Sequence, residues 1–497
     1  MESISTRKDG REKLRKNSEA SSARKGLGAW QRTSVLLLPS RRVKINSYFF
    51  IELPCYIRSN GDDPVILDSK IREKLFDTVE SQRDDTINFL KELVRTPSVT
   101  GSEGACARVC YERIRQIGLD ADMWEIDLNQ ISGHPAYNDT IRFPPSDFPL
   151  TYKDRPNVVG RYRAGGLGKS IILNGHMDVV TPEPWSKWTH DPWDPHIEDG
   201  KLFGRGAVDM KGGIAAMIMA VHAVFSAGLK PKGDVMVECV IEEEAGVGNG
   251  TLASLLRGYR ADACIVTEGS ELSLCPSMRS GLYWRITLEG KPSHGVQKWL
   301  GVDAMQLGAK MIDALKFLEA YLSTLESHPL YREFPIAVPI TPDKMRAGLW
   351  KGMVAPECVI EGYFEPLPGR PLEEWEKTFR EYVRNAMHYD PWLREHPPKV
   401  EFLERYSGYD LDLDDPLVKA MQASYQQVKG GQAKVLGGNG GCDAWIRSLY
   451  GGSSTVIFGP GGGNAHGADE FVYLDDVIAT QKILALTILQ WCGYETA

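Results

Sequence analysis

The sequence predicts an α/β fold, and three observations carry that expectation. Apolar residues at helical spacing alternate along the chain with short, almost wholly apolar strands such as residues 234–241 and 263–267, the pattern of a sheet covered on both faces. Residues 213–229 are apolar on nearly every side (Ile214, Ala215, Ala216, Met217, Ile218, Met219, Ala220), as a helix pressed onto such a sheet must be. Residues suited to metal chemistry stand where the apolar runs stop, at the strand ends where the loops of an α/β sheet gather.

Ordered structure is expected from Asp68, where Ile71, Leu75, Val79, Ile87, Leu90, Leu93 and Val94 recur at helical spacing up to Pro97. The proline ring disfavours a helical residue ahead of it. Residues 104–117 read as a second amphipathic helix, and 157–162 and 170–174 as strands, the latter running into His176. From about Tyr283 the texture changes. Residues 282–288 and 359–365 read as half-exposed strands, 302–326 and 372–388 as helices, and 329–348 as Pro-rich chain. These describe a compact α+β unit, 283–405, inserted between a first part, 68–282, and a second part, 406–497, where the α/β texture returns. There, residues 454–458 form a strand running into a glycine-rich turn.

A chain of 497 residues favours two or three domains. The formal charge of -8 is uneven, because residues 1–45 hold 12 Lys/Arg against 4 Asp/Glu, which leaves -16 for the rest. An acidic body repels phosphate backbones, so nucleic acid is not an expected partner. No uninterrupted run of about 18 apolar residues occurs, and no membrane contact is expected. The 9 cysteines are odd in number and scattered, without a Cys-x-x-Cys pair. That usage fits a reducing compartment, and the expected location is the cytoplasm. Residues 1–67 are expected to be a basic, disordered extension without chemistry; an upstream start site or a targeting peptide are the other readings.

Residues 174–178, Asn-Gly-His-Met-Asp, follow the apolar run Ile171-Ile172-Leu173. Side chains alternate along a strand, so His176 and Asp178 project from one face at its end, where a carboxylate can orient an imidazole toward a metal. Asp209, the triplet Glu242-Glu243-Glu244, Glu268 and His466 follow downstream. A lone histidine at a strand end is more often structural, and an isolated acidic triplet is more often a solvated cluster. Their joint occurrence at strand ends and loops instead fits a hydrolytic metal centre, which needs neutral imidazoles, ionised carboxylates and a nearby base.

Six segments occur in one order: GHMDVV, LFGRGAVDMKGG, IEEEAGVGNG, VTEG, KPSHG and GPGGGNAHGADEFV. In order and spacing they resemble the dinuclear zinc deacylase and carboxypeptidase family, which includes acetylornithine deacetylase, succinyl-diaminopimelate desuccinylase, aminoacylase and glutamate carboxypeptidase. The resemblance spans residues 70–497 and implies a mixed-sheet catalytic domain with an inserted α+β lid and dimerisation domain. It implies two divalent ions, zinc foremost, with cobalt or manganese as alternatives. His176, Asp209 and Glu268 would hold one ion; Asp209, Glu244 and His466 would hold the other. Asp178 would fix the tautomer of His176, and Glu243 would pass a proton from the attacking water to the leaving nitrogen. His294 would reach across a homodimer interface to stabilise the oxyanion.

The implied reaction is cleavage of the amide bond of a small N-acylated amino acid or related amide. A dipeptidase or carboxypeptidase with the same centre, and an inactive binding protein on the same fold, are the alternatives. Two positions depart from the family pattern. Met353 stands where many relatives have an Asn, and Glu365 where they have an Arg, both linked there to gripping a substrate carboxylate. A thioether and an anion weaken such a grip. Arg279, Arg346 and Arg370 are the candidate substitutes. His190 and His196 read as structural or pocket-rim groups, His222 as a satisfied core histidine, and Asp443 as matching a family Asp of less certain role.

Overall fold

The computed structural model describes residues 67–144, 150–166 and 168–496, all within one compact unit. The basic N-terminal stretch and Cys55 lie outside the described residues. The chain enters through two helices, Ser69–Ser81 and Arg83–Arg95, where the periodicity predicts one. The break falls at Gln82, which leaves helical geometry (φ -95, ψ 2) while its amide still reaches the Thr78 and Val79 carbonyls. The buried positions pass from Leu75 and Val79 to Thr86, Phe89 and Leu90 without losing phase, so the apolar repeat conceals the bend.

Among the described residues the large sheet has nine strands, with Val435–Gly437 paired in parallel to Leu274–Met278 off the main path, and its four central ones are parallel: Val235–Val240, Ile171–His176, Ala263–Val266 and Ser454–Ile457. Asp120–Glu125 and Pro156–Tyr162 add antiparallel strands on one side, and Leu274–Met278 and Tyr409–Asp410 on the other. The first three central strands are buried at every residue. Such strands read as continuous apolar runs because helices cover both faces. Helix Gly212–Ser226 buries nearly all its length, and helix Leu474–Cys492 packs against it. By length and composition Ala207–Ser226 could cross a membrane, but 83% of its 18-residue apolar window is buried inside the fold.

A second sheet, four antiparallel strands in the order Ile340–Ala347, Glu357–Phe364, Gly281–Glu289, Lys399–Tyr406, has its own hydrophobic core. Trp284, Phe364, Trp375 and Phe379 anchor it, under helices Ala304–Leu325 and Leu372–Ala386. Part of the Pro-rich stretch is therefore strand. Ile340–Ala347 is an edge, and its register shifts beside Pro342. Proline is tolerated at an edge or bulge because no ladder donor is lost there.

Candidate metal centre

Strand register brings the site together. In the parallel pairing, Asn174 faces Val266; two residues further on, His176 ends the first strand and Glu268 stands just past the end of the second. On the other side His176 faces Val240, and that strand leads into the acidic triplet. The fourth parallel strand, Ser454–Ile457, opens into the loop that carries His466, and the turn before helix Gly212–Ser226 carries Asp209. Four carboxyl ends of adjacent strands thus supply most of one cluster, as expected for ligand sites in open α/β sheets.

Two donor groups result: His176, Asp209 and Glu268, and Asp209, Glu244 and His466, each with ligand atoms within 4.8 Å of one another. Nε2 of His176 lies 3.1 Å from Asp209 Oδ1, 3.4 Å from Glu268 Oε1 and 3.7 Å from Glu243 Oε2. Nε2 of His466 lies 3.2 Å from Asp209 Oδ2 and 3.0 Å from Glu244 Oε2.

The tautomer of His176 follows from its other nitrogen. Nδ1 stands 2.9 Å from the backbone carbonyl of Asp178, which only accepts. Nδ1 therefore carries a proton, and Nε2, when the ring is neutral, turns a lone pair toward carboxylate oxygens. Two acceptors at 3.1 Å need a proton or a cation between them. Glu244 Oε1 is also buried without a hydrogen-bond partner. An imidazole nitrogen and two carboxylates in each group, sharing one carboxylate, are a donor set that fits a pair of divalent cations.

Electrostatics point the same way. Burial and the neighbouring Asp209 charge push Glu244 up to about 7, and burial raises Glu243 and Glu268. Hydrogen bonds to Asp209 and Glu244 carry His466 up to about 10. Burial alone would lower His176, yet Glu268 and Asp209 hold it well above its ordinary value. Crowded carboxylates gain from a nearby positive charge, whether protons or metal ions.

The acidic triplet divides by direction. Glu242 takes a left-handed conformation (φ 67) and points away from the cluster. Its Oε1 accepts from Thr140 Oγ1, Tyr152 Oη and Asn249 Nδ2 at 2.5, 2.9 and 2.8 Å, and Arg155 Nη1 lies 3.1 Å from Oε2. Glu243 and Glu244 start a short turn whose amides donate to Asp178 Oδ1 and Oδ2 at 3.2 and 3.1 Å. Thr100 Oγ1 also donates to Asp178 Oδ2, at 3.0 Å. The Asp178 carboxylate is therefore chiefly a clamp on the Glu243–Glu244 backbone. It approaches His176 Nδ1 only to 3.7 Å, while its carbonyl holds the ring.

His294 is not drawn to this cluster. It is exposed on the second sheet's unit, where its Nδ1 accepts from Val296 N at 3.2 Å and its backbone bridges to Met353. Glu365 is buried: Oε1 accepts from Tyr406 Oη, Tyr363 Oη and Gly441 N at 2.7, 2.9 and 2.9 Å. Arg279 lies 3.9 Å from Oε2 and stacks on Tyr331 and Phe334. Arg370 pairs with Glu374 and Glu326. His190 and His196 pack ring against ring at 4.3 Å. His222 corrects the sequence reading, because its Nδ1 is buried and has no partner. The residue is only half-buried on an otherwise apolar helix, and burial lowers the pKa of its ring while the Asp85 charge acts in the opposite sense. Asp443 receives Thr251 Oγ1 at 2.9 Å on one oxygen, keeps the other unpartnered, and is pushed by burial up to about 7. Glu470, which sequence reasoning passed over, accepts three backbone amides from residues 206–209. Periodicity gives no signal for it.

Such a sheet, with two carboxylate-linked histidine groups at its strand ends, is built for metal-dependent hydrolysis. The chain belongs to peptidase family M20/M25/M40, whose family model matches residues 172–490. It is 27% identical over 447 residues to an N-formyl-4-amino-5-aminomethyl-2-methylpyrimidine deformylase of Bacillus subtilis, covering 84% of this chain and 96% of that one. A succinyl-diaminopimelate desuccinylase of Polynucleobacter necessarius is 26% identical over 417 residues, covering 82% and 98%. Among solved structures, a di-peptidase of Saccharomyces cerevisiae shares the fold with a TM-score of 0.68 at 15% identity, covering 85% of this chain and 98% of that one.

Proposed function

We propose that this chain is a two-metal deacylase that splits a small N-acylated amine or amino acid into an amine and a carboxylic acid. The carrying observation is that two imidazole Nε2 atoms face the two oxygens of one carboxylate, Asp209. His176, Asp209 and Glu268 would hold one divalent ion, and Asp209, Glu244 and His466 the other. When bound, such a pair lowers the pKa of a water and stabilises charge developing on the carbonyl oxygen. Zinc suits this nitrogen and oxygen set, with cobalt or manganese as alternatives.

Glu243 handles the proton, taking it from the attacking water and giving it to the leaving nitrogen. Burial raises its affinity for that proton, and Asp178 fixes its backbone. The names of the relatives, a deformylase and a desuccinylase, favour an acyl group over a dipeptide. Glu365 and Met353 offer no cation for a substrate carboxylate. The eight cysteines among the described residues are buried and unpaired, which suits the reducing cytoplasm.

The same reading makes residues 283–405 a lid that pairs two copies of the chain. Phe317, Tyr321 and Leu325 recur on one face of the C-terminal half of helix Ala304–Leu325 at 73%, 59% and 59% exposure, and Trp299, Leu349 and Trp350, at 74%, 77% and 80%, lie on the loops toward its N-terminal end. A second copy is the occupant that fits, because the helix packs on an edge strand that runs on to Leu349 and Trp350 and, through Gly352, bonds to the loop with His294. His294 would then serve the partner's centre.

The test is the full chain, stripped by chelator and reloaded with Zn2+, assayed on N-formyl, N-acetyl and N-succinyl amines beside dipeptides. Cleavage of an N-acyl compound supports the reading. Turnover of dipeptides alone replaces it with a dipeptidase, and no cleavage of any amide by loaded protein removes it.

A further inference from the structure

Glu470 belongs to neither donor group, yet it holds the segment that carries Asp209. Its side chain is fully buried. Oε2 accepts from Gly206 N at 2.8 Å and Arg205 Nη1 at 2.6 Å, and Oε1 accepts from Val208 N at 3.0 Å and Asp209 N at 3.1 Å. The Glu470 carbonyl accepts in turn from Gly204 N at 2.8 Å. Three amides converge on one carboxylate because the chain turns through a left-handed residue at Gly206 (φ +80). A Cβ there would stand 2.6 Å from Val179 Cγ1, so only glycine fits the turn.

The same residue closes the loop that carries His466. One position earlier, Asp469 accepts from Thr189 N and Oγ1, both at 2.7 Å, and one position later Phe471 pairs with Phe203. His466 itself is half in solvent and takes a positive φ of 61. His176, by contrast, stands at the end of a buried strand, and Glu268 lies two residues beyond another. The second donor group therefore depends on loop anchorage, and Glu470 joins the two loops that meet there.

We infer that Glu470 is a positioning residue that sets the spacing between Asp209 and His466, and through it the grip of Asp209, Glu244 and His466 on a divalent ion. The inference rests on the two-ion reading given above. An ion pair with Arg205 would need one contact; the three amide bonds fix the shape of the loop instead.

The experiment titrates the chelator-stripped full chain with Zn2+ by calorimetry, alongside thermal melting of the metal-free protein. Glu470→Gln keeps the shape but turns an amide donor toward backbone donors. Its first ion should bind close to wild type and its second about 10–100-fold more weakly, the usual loss when a group supporting a ligand is removed. Arg205→Met keeps all three amide bonds and should retain the second ion. Two ions bound by Glu470→Gln with wild-type affinities would overturn the inference. So would an equal loss in Arg205→Met, which would reduce Glu470 to half of an ion pair. If Glu470→Gln does not fold, Glu470→Asp, which withdraws the oxygens from the amides but keeps the charge, carries the same expectation and the same refutation. A wild-type chain that binds no Zn2+ would sink the two-ion reading itself, a distinct failure.

Discussion

His176 and His466 meet the same carboxylate from opposite sides: their Nε2 atoms lie 3.1 and 3.2 Å from the two oxygens of Asp209. Asp209 is thus the group shared by both donor sets. Asp209→Asn keeps the shape but removes the charge that, on the two-ion reading, would offset two cations. The variant should lose affinity for both ions together, whereas Glu268→Gln or Glu244→Gln should weaken one chiefly. Metal content by elemental analysis after dialysis separates these outcomes. Each ion held at about 100 times its dissociation constant adds roughly 2.7 kcal/mol to folding stability. Chelation should therefore lower the melting temperature of wild type but hardly that of Asp209→Asn.

Glu243 sits near the shared carboxylate without belonging to either donor group. Its Oε2 is 3.7 Å from His176 Nε2. Replacing it with Gln should leave zinc content near wild type and lower kcat by about 10²–10⁴-fold, the span of general acid–base catalysis. A variant that keeps both its zinc and its full rate would remove Glu243 from the proton path.

Much of this cluster was legible because metal chemistry demands particular residue types, and His176, Glu243, Glu244 and Glu268 stand where apolar strands end. Parallel pairing then does the assembly, since strands in register carry their final residues to one edge. Groups whose partners are backbone atoms were not legible. The Asp178 side chain serves two amides, and Glu470 serves three, and no spacing in the sequence records an amide's direction. The bend at Gln82 was hidden because the apolar phase survives it. The edge strand Ile340–Ala347 was hidden because proline marks irregular chain everywhere except at such edges. Glu365, an anion where the family pattern has a cation, is occupied by Tyr363, Tyr406 and the Gly441 amide.

Glu404 gives a pH test at a residue outside the two donor groups. It lies on strand Lys399–Tyr406, half-buried, where burial and the Glu242 charge push its carboxyl up to about 8. In the unfolded chain it ionises near the ordinary value of 4.5. The folded protein therefore binds a proton that the unfolded chain releases. Its stability relative to a variant without this group must fall as pH rises from 4.5 through about 8, and level off above. Glu404→Gln removes the titration. The melting temperature of the variant minus that of wild type should grow across this window. A difference that is flat with pH would show that Glu404 titrates alike in both states.

His294 supplies the sharpest test of assembly, because it lies on the second sheet's unit and touches none of the clustered carboxylates among the described contacts. If it stabilises the oxyanion in a partner copy, a single inactive chain can still contribute one good half. In a heterodimer of His294→Ala and Glu243→Ala, one centre joins an intact Glu243 to the partner's intact His294, and the other lacks both. Mixed dimers, made by co-expression with two purification tags, should recover up to about half of the wild-type rate per dimer, while each homodimer stays slow, because loss of one oxyanion donor costs on the order of 10²–10³ in kcat. Phe317→Glu with Trp350→Glu would place charges on the apolar face of the lid and should yield monomers by light scattering. Those monomers should keep their zinc but fall to the rate of His294→Ala. Monomers as fast as wild type would detach His294 from the reaction and leave the carboxylate cluster to act alone.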